Sequence, residues 1–518
     1  MAGKYRNLII ILSDQLDINS PVFEDFDKNQ DIIWMAETQE EATRYWNHKL
    51  KIVYFFSAMR HFRDELKEKG YRVFYHELSS AKSNDRGEDL EAVLKKDIHM
   101  RHPDKLVVTQ PGDFAIQERL TKLAKEEDLS LDILTDSHFY DTIESFNDFQ
   151  DSKKGYLLET YYRHLRKRHG ILLTSGDEPE GGDWNFDKEN RESFNQAPSD
   201  IKAPISFRPD DITEEVIQMV RKRFDDHPGS LDHFDLPVSR KEALRLLNDF
   251  IEHRLKAFGK YQDAMWTGKP FLYHSRISAA LNLKLLNPRE VVEKAEDAYH
   301  EGDAPINSVE GFIRQIIGWR EFIRGVYWRE MPGYAKMNHL GAQHDVPSFF
   351  WDGDTDMECI HQSMQGVVGH AYAHHIQRLM VLGLFSLLYG THPRKFHEWH
   401  VAMYADAHEW VSLPNALGMS QYGDGGIVGT KPYTASANYI NKMSNYCKNC
   451  RYSPNQKTGE DACPFNALYW DFLDRHHDKL NDNRRMNFQM KNLEKKDDQE
   501  MKEIRSRARK LKKDWSNG

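Results

Sequence analysis

The hydrophobic period changes once along the chain, and that change constrains the fold more than any other feature. Over residues 1–135 short apolar runs alternate with charged, helix-like stretches; from residue 238 apolar side chains instead recur every three or four positions. Strand and helix in alternation dictate a parallel sheet covered on both faces, and the later period dictates an all-helical body. Candidate strands run over 8–12, 32–35, 52–56, 71–75 and 106–109, with helical stretches at 59–69 and 113–127. No G-x-G-x-x-G follows the first run, so the standard dinucleotide fingerprint is excluded. Ligands on such sheets still gather at the carboxyl ends of the strands. Asp14 and Gln15 after the first strand, and Glu37 and Glu41 after the second, are therefore candidates to line a pocket; ordinary loop polarity is the plain alternative.

Four segments follow: an α/β domain (1–135), a linker (136–237), a helical domain (238–440) and a C-terminal extension (441–518). The linker is rich in Pro, Gly and Asp at 178–183 and 203–211, around one expected helix at 160–169. That helix carries Arg163, Arg166, Lys167 and Arg168, either a solvated face or a row of phosphate contacts. In the helical domain Val309, Phe312, Ile313, Ile316 and Ile323 form one stripe, and Arg320 falls on it, where a charge calls for a partner or a ligand. Ile376, Leu379, Met380, Leu384 and Leu387 form a second stripe. Residues 493–518 alternate charges and are expected to form at most an exposed, fraying helix.

Composition narrows the class. No apolar run reaches the ~18 residues a membrane helix needs, and the run at 8–12 is too short for a signal peptide. Four cysteines in 518 residues exclude a disulfide-stapled scaffold. The expected compartment is the cytoplasm. With 71 basic against 81 acidic residues the net charge is -10, which excludes a polycationic nucleic-acid coat but leaves room for a local basic groove.

Three of the cysteines read C-x2-C-x12-C-P: Cys447, Cys450 and Cys463, followed by Pro464, with Cys359 far upstream. C-x-x-C puts two thiolates on one turn, the arrangement a metal needs. Four thiolates satisfy zinc or an iron-sulfur cluster; structural or redox cysteines are the plain alternative. Three local ligands, one distant ligand and the closing proline favour [4Fe-4S]. His370 and His374 have a zinc-helix spacing, but no H-E-x-x-H accompanies them.

The helical domain carries further motifs in a fixed order. His274-Ser275-Arg276-Ile277-Ser278 comes first, with hydroxyls and N–H groups suited to a phosphate. Glu310-Gly311-Phe312-Ile313-Arg314-Gln315-Ile316-Ile317-Gly318-Trp319-Arg320-Glu321-Phe322 follows, then Ala371-Tyr372-Ala373-His374-His375-Ile376-Gln377-Arg378-Leu379-Met380, Tyr404-Ala405-Asp406 and Gly429-Thr430-Lys431-Pro432-Tyr433. Together with Phe56-Ser57-Ala58-Met59-Arg60-His61-Phe62 and the cysteines, this order resembles the photolyase and cryptochrome superfamily. The likeness is to its iron-sulfur bacterial branch, which includes prokaryotic (6-4) photolyases, and it spans residues 5–480.

The resemblance implies a Rossmann-like α/β antenna domain and a large all-α domain holding U-shaped FAD, with a [4Fe-4S] cluster on Cys359, Cys447, Cys450 and Cys463. It implies light-driven electron transfer from reduced flavin to a pyrimidine lesion in UV-damaged DNA, by a monomer lying on the bacterial nucleoid when bound. Ser275, Arg276, Ile277 and Ser278 would hold the pyrophosphate. Glu310, Gln315, Trp319 and Arg320 would face the flavin, Arg378 would pair with Asp406 beside it, and Asn415 would stand opposite N5. An antenna of 6,7-dimethyl-8-ribityllumazine would meet Asp14, Gln15, Glu37, Glu41 and Phe55.

A cyclobutane dimer splits without a proton donor, whereas a (6-4) photoproduct must also return a hydroxyl or amino group, which a histidine acid assists. His375 is the expected acid, His374 its support, and Tyr433 a hydrogen-bond partner of the lesion. The reading is a (6-4) photolyase. A blue-light photoreceptor signalling through partners is the alternative, and a cyclobutane-dimer photolyase stands behind both. Trp351 and Trp399 match relay positions of the branch; His400 stands where related chains often carry Tyr, which leaves the surface end of the relay open. Asp183 and Asp187 are a candidate Mg²⁺ patch beside DNA, against a solvated acidic loop.

Overall fold

The structure is a computed structural model that describes residues 5–516. Five parallel strands, β1 (Asn7–Ile10), β2 (Ile32–Ala36), β3 (Val73–His76), β4 (Lys105–Thr109) and β5 (Ser130–Leu134), pair in the order β3-β2-β1-β4-β5. The order reverses between β1 and β4, so their carboxyl ends diverge and open the crevice where such sheets bind ligands. Helices α1 (Gln39–Thr43), α2 (Lys49–Glu68), α3 (Leu90–Arg101) and α4 (Phe114–Glu126) connect the first strands and the last.

Two expectations about this sheet are corrected. Residues 52–56 are not a strand; they lie inside α2, buried without a break from Leu50 to Arg60. A continuous apolar run suits a helix covered on both sides as well as a central strand, and α2 lies between the sheet and a later helix, α7 (Asp211–Arg223). The fifth strand, β5, escaped notice because its edge position leaves its side chains half-exposed and only weakly apolar.

The expected linker contains three helices: α5 (Ile143–Asp151), α6 (Leu158–His169) and α7 (Asp211–Arg223). The basic row on α6 is not a free phosphate-binding face. Arg166 is 0% exposed and donates to the carbonyls of Ile171, Trp184 and Leu172 at 3.1, 3.1 and 2.6 Å. Arg163 pairs with Glu159 and Arg168 with Asp141, each at 2.7 Å, which leaves Lys167 as the free charge of the four. The C-terminal tail is also corrected. Asp498–Ser516 is one helix, docked on Pro464–Arg475 through Met501, Ile504, Ala508 and Leu511. Trp515 closes it against Phe385 and Phe349 at 5.2 and 5.9 Å. No helix among the described residues is long and apolar enough to cross a membrane.

Candidate functional site

Three π-helical turns, Arg314–Arg320, Arg378–Gly383 and Pro414–Ser420, interrupt the helical domain. Each extra residue widens a helix by part of a turn and re-aims its side chains, a distortion that concentrates at functional sites. All three face one open cavity, to which they contribute Gln315, Trp319, Arg320, Arg378, Leu379, Asn415 and Met419. The loop Ser275–Ser278 and the pair His374–His375 complete the wall.

The polar groups of this cavity are held from behind. Arg378 donates to both carboxylate oxygens of Asp406 at 2.9 and 3.1 Å and to the Ala373 carbonyl at 2.6 Å, and it lies 3.9 Å over the Tyr404 ring. Ser278 Oγ donates to Asp406 at 2.7 Å, and Asn282 Nδ2 to the Asp406 carbonyl at 2.7 Å. Burial works against the charge on Asp406, yet Arg378 and these donors hold it below the usual carboxylate range. Arg276 adopts φ +61° and clamps Asp235 through two 2.8 Å bonds, so its side chain braces the loop while its backbone faces the cavity. Arg320, the charge on the apolar stripe, lies over Phe139 at 4.1 Å; its Nε and Nη1 have no hydrogen-bond partner within the protein, and burial lowers its pKa to about 10.

His375 is exposed at the cavity mouth, and the surrounding protein and then Arg378 lower its pKa to about 4. His374 is buried and stacks on His274 at 4.5 Å and 13°, with both its ring nitrogens unpartnered. Gln377 accepts from the His374 amide at 3.2 Å and donates to the Tyr446 hydroxyl at 3.1 Å, which ties the histidines to the residue before Cys447.

Several expected residues lie elsewhere. Glu310 does not face the cavity: it accepts from the Tyr162 hydroxyl at 3.0 Å and the Phe186 amide at 3.2 Å, and so locks the linker to the helical domain. Tyr433 is half-buried outside the lining, within the field of Arg485 and Asp187. Asp187 is bonded to Arg314, and Asp183 is exposed in its loop. His400, where related chains often carry Tyr, is buried and lines the cavity itself.

A second cavity opens at the β1/β4 crevice, between the sheet and the segment 401–409. Asp14, Glu41 and Phe55 line it, as do Lys51, Asp113 and His408, which sequence reasoning missed. Asp113 follows β4, the position that had flagged Asp14 after β1, and the same rule would have found it. Gln15 and Glu37 do not reach this cavity. Gln15 Nε2 donates to the Thr109 carbonyl at 2.8 Å; Glu37 takes Arg60 at 2.7 and 2.9 Å, the Tyr75 hydroxyl at 2.7 Å and the Leu78 amide at 2.9 Å. Phe55 reaches the cavity from a helix rather than a strand, stacked on His408 at 5.2 Å. Gly112 is required here: a Cβ would stand 2.5 Å from Asp14 Oδ2 and 2.9 Å from Trp410. Ala407 lines both cavities, and the buried Lys51 Nζ donates to its carbonyl at 2.8 Å.

Burial pushes Glu41 up to about 7 from 4.5, and the charges of Asp14 and Glu37 add to the effect. Because the folded pKa is the higher, the stability Glu41 contributes is complete below about pH 4.5 and is lost as pH rises through about 7. The melting temperature of the ligand-free chain is therefore expected to fall between about pH 5.5 and about pH 8.5 by more than that of Glu41→Gln, which cannot ionise. Equal falls in the two proteins would remove Glu41 as the cause.

Cys359, Cys447, Cys450 and Cys463 all line one small pocket, walled by Met357, Ile440, Tyr452 and Phe465 among others. The distant cysteine and the C-terminal triplet are thus brought together.

A family model described as deoxyribodipyrimidine photo-lyase-related protein matches residues 9–236. A protein of Agrobacterium fabrum named (6-4) photolyase is 44% identical over 479 residues, which is 92% of this chain and 94% of that one. Among solved structures, a bacterial class III photolyase from Agrobacterium tumefaciens matches with a TM-score of 0.55 at 17% identity, over 83% of this chain and 82% of the other. An archaeal photolyase from Sulfolobus tokodaii, solved with two FAD molecules, matches with 0.54 at 14% identity, over 91% of this chain and 100% of the other. Identities that low speak for the fold; the kinship rests on the Agrobacterium fabrum protein, matched along nearly its whole length. With that relative and this fold, the chain belongs to the photolyase and cryptochrome superfamily, among the bacterial (6-4) photolyases.

Proposed function

We propose that this chain repairs UV-damaged DNA as a light-driven (6-4) photolyase, with FAD in the helical-domain cavity. The observation that carries the reading is the placement of an exposed histidine, His375, at the mouth of a cavity whose inner wall holds the Arg378–Asp406 pair. The residues fit the cofactor. Apolar walls suit a flat ring, Ser275 offers a hydroxyl to the pyrophosphate, and the Nε and Nη1 of Arg320, without a hydrogen-bond partner in the protein, need acceptors of the kind FAD carries. FAD, when bound, reduced and lit, supplies the electron that opens the lesion.

The chain's own residues do the rest. Arg378 keeps a positive charge beside the ring and favours its anionic form. The walls exclude water, so that charge acts in a low dielectric. His375 holds the proton that the migrating group needs, and His374 stiffens its approach. DNA would meet the mouth with the damaged nucleotides turned out of the stack, which is least costly where stacking is already broken.

Two further groups are part of the proposal. The four thiols fit a [4Fe-4S] cluster better than one zinc. They share one apolar pocket, and three local ligands, one distant ligand and the closing proline are the pattern of such a cluster. A ribityllumazine-type antenna suits the second cavity, where the protonated Glu41 can donate, the Lys51 ammonium is fixed, and Phe55 offers a face.

The test uses two oligonucleotides, one with a (6-4) photoproduct and one with a cyclobutane dimer. Each is given to reduced protein under blue light, with a dark control. Light-dependent loss of the (6-4) lesion alone is expected. Loss of the dimer alone, or of neither lesion while the bound flavin remains photoreducible, would overturn the reading.

A further inference from the structure

Trp46 stands on the turn between α1 and α2 with 46% of its surface exposed, and its ring lies 5.0 Å from that of Trp351. A large indole left in water on the α/β domain, against a half-buried indole of the helical domain, has no packing reason to be so exposed. Behind it ring contacts and one covalent link lead inward. Trp399 is 1% exposed; its ring lies 5.0 Å from Phe350, and its indole N–H donates to the Phe350 carbonyl at 2.8 Å. Phe350 is the covalent neighbour of Trp351. On the inner side Trp399 stacks on Phe396 at 5.7 Å and 23°, and Phe396 lines the flavin cavity.

We infer that Trp46 is the solvent-facing terminus of the photoreduction relay, an inference that rests on reading Trp399 and Trp351 as its inner members. One electron passes from Trp399 to the light-excited flavin, Trp351 refills Trp399, and Trp46 refills Trp351. The oxidised Trp46 releases its indole proton to water and is restored by one hydrogen atom from a dissolved thiol, which leaves as a thiyl radical. The chemistry of the neighbours makes an outward exit necessary. At the inner end His400 is an imidazole, harder to oxidise than an indole. Tyr404, 5.7 Å from Trp399, is buried with its hydroxyl unpartnered, so no base stands ready to take its proton. A cation buried at Trp399 or half-buried at Trp351 is poorly solvated, whereas at Trp46 water surrounds it.

The experiment compares Trp46→Phe, Trp351→Phe and Trp399→Phe in the full-length, flavin-loaded protein, at equal flavin content and equal melting temperature. Three quantities are read: the lifetime of the oxidised tryptophan after a flash, the rate of thiol-dependent photoreduction, and the residue that a radical trap labels, found by peptide mass mapping. Trp46→Phe is expected to leave the initial flash step intact, shorten the charge-separated lifetime and slow photoreduction at least several-fold, and abolish labelling at position 46. Trp46→Tyr should recover part of the rate. If Trp46→Phe matches the wild type while Trp351→Phe is slow and the trap labels Trp351, the relay ends at Trp351 and the inference falls. If none of the three substitutions changes the kinetics, the relay reading beneath it falls as well.

Discussion

His375→Ala is expected to lower repair of the (6-4) photoproduct by about 10²–10⁴-fold, the range a positioned acid contributes, while the protein keeps its flavin. The side chain is exposed at the mouth and makes no hydrogen bond to the cavity wall, so its loss leaves the Arg378–Asp406 pair and the Ser275–Ser278 loop in place. The protein around the ring and the Arg378 charge hold its pKa below the ordinary histidine value. Acid catalysis then requires the anionic lesion to raise that pKa on binding. Repair at saturating DNA should therefore decline as pH rises, with a midpoint above the free value of about 4. A His375→Ala protein with undiminished repair, or a wild-type profile that rises with pH, would assign the proton elsewhere. His374 offers no substitute. It is buried against His274, and its pKa is pushed well below the ordinary value by burial and by the charges of its neighbours.

The second large effect is expected at Asp406. Asp406→Ala removes both carboxylate oxygens that accept from the Arg378 guanidinium and the acceptor of Ser278, and leaves a largely desolvated cation with only the Ala373 carbonyl. Breaking such a pair costs about 3–5 kcal/mol, so the flavin-free protein should melt at clearly lower temperature and bind FAD weakly or not at all. Asp406→Asn keeps the shape and one acceptor, and should fall between. The pair lowers the Asp406 pKa, so its contribution is present above about pH 3.8 and is lost in stronger acid. The stability difference between wild type and Asp406→Ala should narrow as pH falls through that region. A flavin-free Asp406→Ala protein as stable as wild type near pH 7 would mean that Arg378 finds another partner.

Some of the site was legible because its chemistry is local. Ser275–Ser278, Gln315, Trp319, Arg320, Arg378, Asp406 and the triplet Cys447, Cys450 and Cys463 sit in short motifs whose spacing survives folding. Arg320 betrayed itself as a charge on an apolar stripe, and it lines the cavity. Lys51 carries a similar signal, a charge beside the apolar run 52–56, but as a strand that run gives no reason to turn the lysine inward. Three of the residues that moved, Glu37, Gln15 and Glu310, share one property: each is a polar group whose partner lies on a distant element, whereas Arg166 folds back on the carbonyls of the loop that follows its own helix. Arg60 for Glu37 and Tyr162 for Glu310 are brought in by tertiary packing, and a buried carboxylate or guanidinium with partners is scaffold rather than surface.

The amino-acid sequence by itself determined the change from a parallel sheet to a helical body, the cysteine framework and the order of the cavity motifs. Those depend on period and spacing, which neighbouring residues set alone. Only the tertiary structure decided that 52–56 is helix, that the charged tail docks, which acids face the β1/β4 crevice, and that His400 lines the helical-domain cavity. These outcomes follow from what covers each face, and a face is covered by chain from far along the sequence. The three π turns belong to the same class: no residue pattern announces them, because the extra residue in each is accommodated by the packing around the cavity.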